Sequence, residues 1–254
     1  MPTTTSTLIK QPSKTTHFPI KLQSLDDVSP QTSTSASLRS LYTRAARAFV
    51  LRDIETTSSL LLSAFAILKP PQCHPDALSD DRKKWDILRI TFESTVYSSP
   101  PASSKQLPES IRYIITEAPH ALISSMYTRS LSLFSPSGDS KKSAINASCL
   151  PSQVLTTLVY CSLKLGAPDL GRVMIEEWLA RRELYDHNRN RGSPVGDGYD
   201  KIIELYCLHV LPKLGQWDYV KEFLEYESEL AVQRREVSFR LTHLLDFPSN
   251  FSRN

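Results

Sequence analysis

The clearest structural pattern in the chain lies in residues 150–179, LPSQVLTTLVYCSLKLGAPDLGRVMIEEWL. Apolar residues recur there three and four positions apart, the spacing of one face of an α-helix. Gly166 can end a first helix in the left-handed conformation, and Pro168 with Asp169 suits the first turn of a second. The segment therefore predicts a helical hairpin. Its two apolar stripes are Val154, Leu158, Cys161 and Leu165, followed by Leu170, Val173, Met174 and Trp178.

A similar pattern surrounds Gly215, about 49 residues after Gly166. Weak internal repetition of this kind is typical of a tetratricopeptide-like solenoid, although the spacing exceeds the regular repeat of about 34 residues. Pro212 lacks a backbone donor, so we expect a kink or an early helix end there. The predicted inward residues are Ile202, Tyr206 and Val210 before the turn, and Trp217, Val220, Phe223 and Leu224 after it.

The N-terminal part of the chain predicts another hairpin. Helical periodicity begins at Leu38, and Arg52 with Asp53 forms a short connection in which Asp53 is a plausible N-cap. Pro70 and Pro71 end the second helix. Two helices joined by so short a link must be antiparallel. The apolar positions are Leu38, Leu41, Tyr42, Ala45 and Phe49 in the first helix, and Leu61, Ala64, Phe65 and Leu68 in the second.

Further helices are predicted between and after these hairpins. Ser79 opens one, Pro108 and Pro119 begin two more, and a last helix is expected to contain Val237, Leu241 and Leu244. Residues 135–149 and 185–198 are polar connections. No strand hairpin is indicated. The predicted fold class is therefore all-α, with stacked antiparallel helical hairpins in an irregular, tetratricopeptide-like solenoid.

Three regions are predicted along the chain: a disordered tail over residues 1–36, a helical-hairpin partner-binding domain over 37–247, and a disordered tail over 248–254. The first 25 residues contain no acid and are rich in Ser and Thr, which suggests a transit peptide. They also lack Arg and contain Pro2, Pro12 and Pro19, so a disordered tail is favoured. The longest apolar run, residues 60–68, is too short to span a bilayer.

Composition and motifs argue against several classes of function. The net charge of +3 is spread along the chain, which disfavours nucleic-acid binding. Residues 192–198 (GSPVGDG) lack the strand and the Lys-Ser/Thr pair of a phosphate loop. The four cysteines form no C-x-x-C pair and indicate reduced thiols in the cytosol. Cys73 and His74 lack further ligands nearby for zinc. We therefore predict no catalytic, cofactor-binding or metal-binding residues.

Two groups of basic residues are candidates for protein binding. One borders the apolar stripe of the first hairpin, and the other lies near the end of the helix that contains Trp178. For the second group, contact with an acidic partner surface has a simpler alternative: arginines that favour the C-terminal end of a helix dipole, followed by a solvated loop. The predicted partner-binding residues are Arg44, Arg47 and Arg52 of the first group together with the adjacent acidic residue Asp53, and Arg181 and Arg182 of the second group.

Several segments of the chain resemble the peroxisome assembly protein 26 family. The resemblance covers residues 38–68 and about 150–245, and it consists of apolar spacing with Leu-Pro, Trp-Leu and Leu-Gly pairs. The segments are residues 45–55 (AARAFVLRDIE), 150–155 (LPSQVL), 167–170 (APDL), 177–179 (EWL) and 208–215 (LHVLPKLG).

The resemblance implies a non-catalytic adaptor of peroxisome biogenesis. Members of that family recruit the two-subunit peroxisomal AAA-ATPase, which extracts the import receptor for recycling and so sustains matrix protein import. It implies a location on the cytosolic face of the peroxisome membrane, or in the cytoplasm if no anchored form exists. Family members are normally anchored by a C-terminal span. Residues 247–254 contain no such apolar segment, so we expect membrane attachment only through an anchor absent from this chain.

Two other interpretations stay open at the level of sequence. The chain could be a helical solenoid scaffold subunit of another cytosolic protein assembly. It could also be an enzyme whose active site is assembled from distant residues, although no recognisable catalytic motif supports that.

Overall fold

The computed structural model describes residues 30–72, 76–101, 107–136, 146–186, 198–230, 235–237 and 240. The predictions made for residues 1–29, for Cys73 and His74, for the glycine-rich connection and for the C-terminal tail lie outside them. All regular structure in the described part is helical, which confirms the all-α fold class. The helices are α1 (Pro30–Val50), α2 (Ile54–Ile67), α3 (Ser79–Ser98), α4 (Glu109–Thr116), α5 (Pro119–Phe134), α6 (Ser152–Lys164), α7 (Pro168–Asp186), α8 (Tyr199–Leu205), α9 (Leu211–Lys213) and α10 (Trp217–Tyr226), with a 3-10 turn at Ala147–Cys149.

The first helix begins upstream of its predicted start. It runs from Pro30, so the expectation of disorder fails for residues 30–36. Proline is tolerated in the first turn of a helix, and the Ser35 hydroxyl donates a hydrogen bond of 2.7 Å to Asp81 at the start of α3. Leu38, which is fully buried, marks where α1 first meets the core rather than where the helix begins.

Three helical hairpins turn with the same backbone geometry. The second residue beyond each first helix has a positive φ: Arg52 at 58°, Gly166 at 75° and Gly215 at 69°. The amide of the next residue donates to the carbonyl five positions earlier, at 3.0, 2.8 and 3.0 Å respectively. This arrangement satisfies carbonyl groups that the helix end would leave without partners. The predicted turns at Gly166 and Gly215 are confirmed.

Two clusters of buried apolar side chains form the core, and α3 contributes to both. Ile90 of α3 belongs to the larger cluster, which extends through α5, α6, α7 and α8 to α10. Phe65 and Ile114 pack against both clusters. The smaller cluster joins α1, α2, α3 and α4, and its buried members are Leu38, Ala45, Leu60, Leu61, Ala64, Leu68, Trp85, Leu88, Phe92, Val96 and Ile111.

The buried face of α7 differs from the predicted stripe at one position. Met174 and Trp178 are buried as expected, whereas Val173 is 55% exposed and Ile175 is buried instead. An ideal Cβ on Gly171 would lie only 2.5 Å from the Ser162 hydroxyl, so α7 lies very close to α6 at residue 171. Positions three, four and seven residues beyond it, 174, 175 and 178, therefore face inward.

The last hairpin contains the irregularity expected near Pro212. A π-helical segment at Tyr206–Val210 precedes it, and α9 then continues through Pro212 to Lys213. π-Helical turns accommodate an interrupted ladder of helical hydrogen bonds without ending the helix. Further along, residues 235–237 are helical, and Val237 of the predicted last helix is 56% exposed.

The two tryptophans of the C-terminal hairpins predict different effects on stability. Trp178 is 3% exposed, and its indole donates to the Leu150 carbonyl at 3.1 Å. Trp217 was expected to be buried but is only half-buried. Trp178→Ala should lower the free energy of unfolding by about 3–5 kcal/mol, and Trp217→Ala by about 1–2 kcal/mol. Urea unfolding followed by circular dichroism measures both, and equal losses would contradict the placement of Trp217.

Candidate partner-binding site

The end of the first hairpin combines basic and apolar side chains on an exposed surface. We call Arg44, Arg47, Val50, Leu51 and Arg52 the hairpin tip. All five are exposed; Val50 is 78% and Leu51 69% accessible to solvent. Positions 44, 47 and 51 follow the i, i+3, i+7 spacing, so two arginines and one leucine share a face at the end of α1.

Arg52 has an unfavourable backbone conformation. It is the only residue other than glycine with a positive φ among those described, whereas Gly166 and Gly215 occupy the equivalent position in the other two hairpins. The left-handed conformation places Cβ close to the following carbonyl and costs a residue with a side chain about 1–2 kcal/mol. The surrounding hydrogen bonds therefore hold Arg52 in a geometry that glycine would adopt without strain.

Asp53 has a local structural role. Its carboxylate accepts a hydrogen bond of 3.0 Å from the Thr56 amide, so it is the N-cap of α2, as predicted. The same hydrogen bond lowers the pKa of the Asp53 carboxyl and keeps it ionised. The Asp53 carbonyl also accepts from the Thr57 hydroxyl at 2.6 Å. Capping accounts for Asp53 without a partner.

A cavity of about 230 Å³ lies beside the hairpin tip. Arg52 and Asp53 place one cation and one carboxylate on its wall, and most of the other side chains there are apolar. A cavity of this kind can receive one apolar side chain of a bound protein. The residues that line it are Phe49, Val50, Arg52, Asp53, Ile54, Thr57, Phe92, Thr95, Val96 and Ser99.

The arginines of the hairpin tip form no ion pair with any other residue that the structure describes. None of the salt bridges between described residues includes Arg44, Arg47 or Arg52. Their charges are therefore available for the acidic side chains of a partner, and no ion pair within the described part of the chain would have to be broken first.

The second predicted group does not form one surface with the hairpin tip. Arg181 is exposed, but Arg182 is half-buried, with its guanidinium 4.4 Å from the Tyr199 ring centroid and 5.8 Å from that of Trp178. Arg182 also donates to Glu229 at 2.9 Å. It therefore holds α7 against the segment that contains α8 and α10. The helical spacing around Arg182 gave no signal of this contact, because Tyr199 follows a long connection.

A second concave surface lies between α2 and α4, and we call it the α2–α4 groove. It encloses about 610 Å³. Its apolar lining is Leu61, Leu62, Phe65, Phe92, Ile111, Tyr113, Ile114 and Leu122, and its charged lining is Arg89, Glu93, Glu109, Glu117 and Arg129. Sequence analysis did not identify this groove, because it is assembled from helices far apart in the chain.

Buried charges lie beneath the groove. Asp86 and Arg89 of α3 form an ion pair, and Arg89 donates to the Ser130 hydroxyl of α5 at 3.1 Å. Burial raises the pKa of the Asp86 carboxyl, although the charge of Arg89 acts in the opposite direction. Glu93 accepts two hydrogen bonds from Arg129, one of 2.7 Å. The i, i+3, i+7 spacing of Asp86, Arg89 and Glu93 is normally that of a solvated face, so sequence analysis missed the cluster.

The described residues supply neither a metal site nor a membrane span. Nowhere in them do three or more His, Cys, Asp or Glu side chains gather in a way that could hold a metal ion. None of the helices found there is long and apolar enough to cross a membrane.

The contacts of Arg182 predict a difference between two adjacent arginines. Arg182→Ala removes the contact with Tyr199 and the ion pair with Glu229, and should lower the free energy of unfolding by about 1–2 kcal/mol. Arg181→Ala should change it by less than about 0.5 kcal/mol. Equal effects in urea unfolding would show that Arg182 does not hold the C-terminal hairpin.

The buried pair on α3 predicts a loss of stability that depends on pH. Arg89→Met leaves Asp86 buried without its cation and should cost about 3–5 kcal/mol near neutral pH. Arg89 lowers the Asp86 pKa that burial raises, so in the folded variant this pKa is higher than in the unsubstituted chain. As the pH falls towards that raised pKa, Asp86 of the variant takes up a proton and no longer buries an unpaired charge, so the loss relative to the unsubstituted chain should shrink.

A double variant provides the control for that experiment. Adding Asp86→Leu to Arg89→Met removes the unpaired carboxylate, and most of the lost free energy of unfolding should return. A loss that is independent of pH, or a double variant as unstable as Arg89→Met alone, would contradict this account of the pair.

The chain matches no model of a known protein family, no curated protein and no solved structure.

Proposed function

We propose that this protein is a non-catalytic adaptor of peroxisome biogenesis. In this proposal the hairpin tip docks the peroxisomal AAA-ATPase complex for import-receptor recycling and matrix protein import, at the cytosolic face of the peroxisome membrane. The observation that carries the binding role is the left-handed Arg52 at an exposed basic and apolar tip. The resemblance to the peroxisome assembly protein 26 family supplies the identity of the partner, and the weak repetition around Gly166 and Gly215 supports a tetratricopeptide-like solenoid arrangement of the hairpins.

The strain at Arg52 supports a binding role. Two other turns of the chain form with glycine in the same conformation, so the backbone geometry does not require an arginine. Strained residues cluster at functional sites, where the geometry serves binding at some cost in stability. Arginine is also among the residues that contribute most to protein–protein interfaces. We interpret Arg52 as a side chain whose direction is fixed before the partner arrives.

The composition of the hairpin tip specifies the chemistry of the partner surface. Three arginines that form no ion pair with the rest of the described chain favour a surface with acidic side chains. Val50, Leu51 and the adjacent cavity of about 230 Å³ favour an apolar side chain at the centre of that surface. Charged contacts would increase the rate of encounter, and insertion of the apolar side chain would slow dissociation.

Reversal of two charges at the hairpin tip tests the proposal. The full chain, immobilised, should retain the purified peroxisomal AAA-ATPase pair, with retention that changes on addition of ATP. Arg44→Glu combined with Arg47→Glu should weaken retention about tenfold or more, because acidic partner side chains would then be repelled. Lys201→Glu with Lys213→Glu makes the same change of charge at two exposed positions away from the tip and should have no effect.

Arg52→Gly separates binding from stability. The substitution relieves the left-handed strain, so the free energy of unfolding should stay unchanged or rise by up to about 1 kcal/mol. Retention of the ATPase pair should nevertheless fall, because the arginine is lost. Unchanged retention in both tip variants would remove the tip from the binding site. No retention by the unsubstituted, folded chain would refute the AAA-ATPase as partner and favour a scaffold role in another protein assembly.

A further inference from the structure

The α2–α4 groove leaves large apolar side chains exposed at its two walls. Leu62 of α2 is 67% exposed, and Tyr113 of α4 is 66% exposed. Both line the groove together with buried Ile111 and Phe92. Apolar surface of this extent within a concave site is typical of a place where another segment packs.

The rim of the groove is acidic. Glu109, Tyr113 and Glu117 lie four residues apart, the first two on α4 and the third at its C-cap, and all three line the groove. Among the residues that the structure describes, no basic side chain is ion-paired with Glu109 or Glu117. The two cations of the lining are already neutralised, since Arg89 pairs with Asp86 and Arg129 with Glu93. The groove therefore favours a basic occupant over an acidic one.

Arg89 provides a separate indication of a ligand. It is 9% exposed, it lines the groove, and its Nε has no hydrogen-bond partner among the described residues. Burial of a hydrogen-bond donor without an acceptor costs free energy, and a bound ligand that supplies the acceptor removes that cost. Because Asp86 already neutralises the guanidinium, a neutral acceptor such as a backbone carbonyl suits this position.

The N-terminal segment of the same chain has the complementary chemistry. Residues 1–25 contain no acid, and Lys10, Lys14 and Lys21 lie within a stretch that also contains apolar side chains: Leu8, Ile9, Phe18, Ile20 and Leu22. Pro12 and Pro19 have no backbone N–H and disfavour a helix in this stretch of sequence. The segment can therefore supply lysines for the acidic rim, apolar side chains for the floor and, when bound, a backbone carbonyl for Arg89.

The length of the connection is sufficient. The start of α1 lies near the start of α3, because Ser35 bonds to Asp81. Arg89 and Glu93 are about 12–18 Å further along α3, at 1.5 Å per residue. Residues 23–29, which separate the proposed bound segment from α1, can span up to about 25 Å. We propose that residues 8–22 bind in the α2–α4 groove of their own chain. This inference concerns a surface other than the hairpin tip and does not depend on the proposed ATPase partner.

Photo-crosslinking in the full chain tests the proposal. With p-benzoylphenylalanine in place of Phe18, irradiation should give intramolecular products that mass spectrometry maps to peptides of α2 or α4. Leu62→Glu should lower their yield about tenfold or more, because it places a carboxylate in the apolar contact. Val173→Glu, which changes another exposed apolar residue on α7, should leave the yield unchanged.

A charge-reversal pair tests the acidic rim in the same experiment. Glu109→Lys with Glu117→Lys should reduce the yield, whereas Glu204→Lys with Glu222→Lys, at exposed positions elsewhere, should not. A synthetic peptide of residues 6–24 should compete with the crosslink. Crosslinks to other helices, an unchanged yield in Leu62→Glu, or products between two chains whose share rises with protein concentration would each overturn the proposal. The last outcome would identify a second copy as the occupant.

Discussion

The whole structure depends on α3, which must serve two hydrophobic cores at once. Trp85 and Phe92 face the smaller cluster and Ile90 faces the larger one, so little of the helix surface is exposed to solvent. Asp86, Arg89 and Glu93 are therefore buried although they are charged. Their pairing with one another and with Arg129 and Ser130 offsets the cost of removing them from water. The same pairs fix the position of α5 relative to α3.

A second constraint, the geometry of the hairpin turns, connects the fold with its proposed function. Each turn satisfies the carbonyls of the first helix and requires one left-handed residue. At Gly166 and Gly215 the sequence matches this requirement, so those turns are explained by folding alone. Arg52 adopts the left-handed conformation although it is not glycine, and it lies beside exposed Leu51 and a cavity. Local conflict of this kind is expected where a residue is retained for binding rather than for stability.

Most of the fold could be predicted from the sequence, because its signals are local. Glycine, proline and an N-cap mark the turns, and apolar spacing marks the helices. The errors arose where distant residues determine the outcome. Val173 fits the apolar stripe of α7, but the close approach at Gly171 rotates the buried face away from it. The spacing around Arg182 indicates a solvated residue, but its guanidinium lies over the ring of Tyr199, which follows a long connection. The α2–α4 groove involves four helices and leaves no local trace in the sequence.

The two concave surfaces differ in charge although they share one residue. Phe92 lines both the cavity beside the hairpin tip and the α2–α4 groove. The tip presents arginines that no described carboxylate neutralises, and the groove presents two glutamates that no described cation neutralises. An acidic protein segment is therefore attracted to the tip and a basic one to the groove, while each is repelled from the other surface. Charge thus keeps apart two apolar sites that α3 brings close together, and each can receive its own occupant without competition.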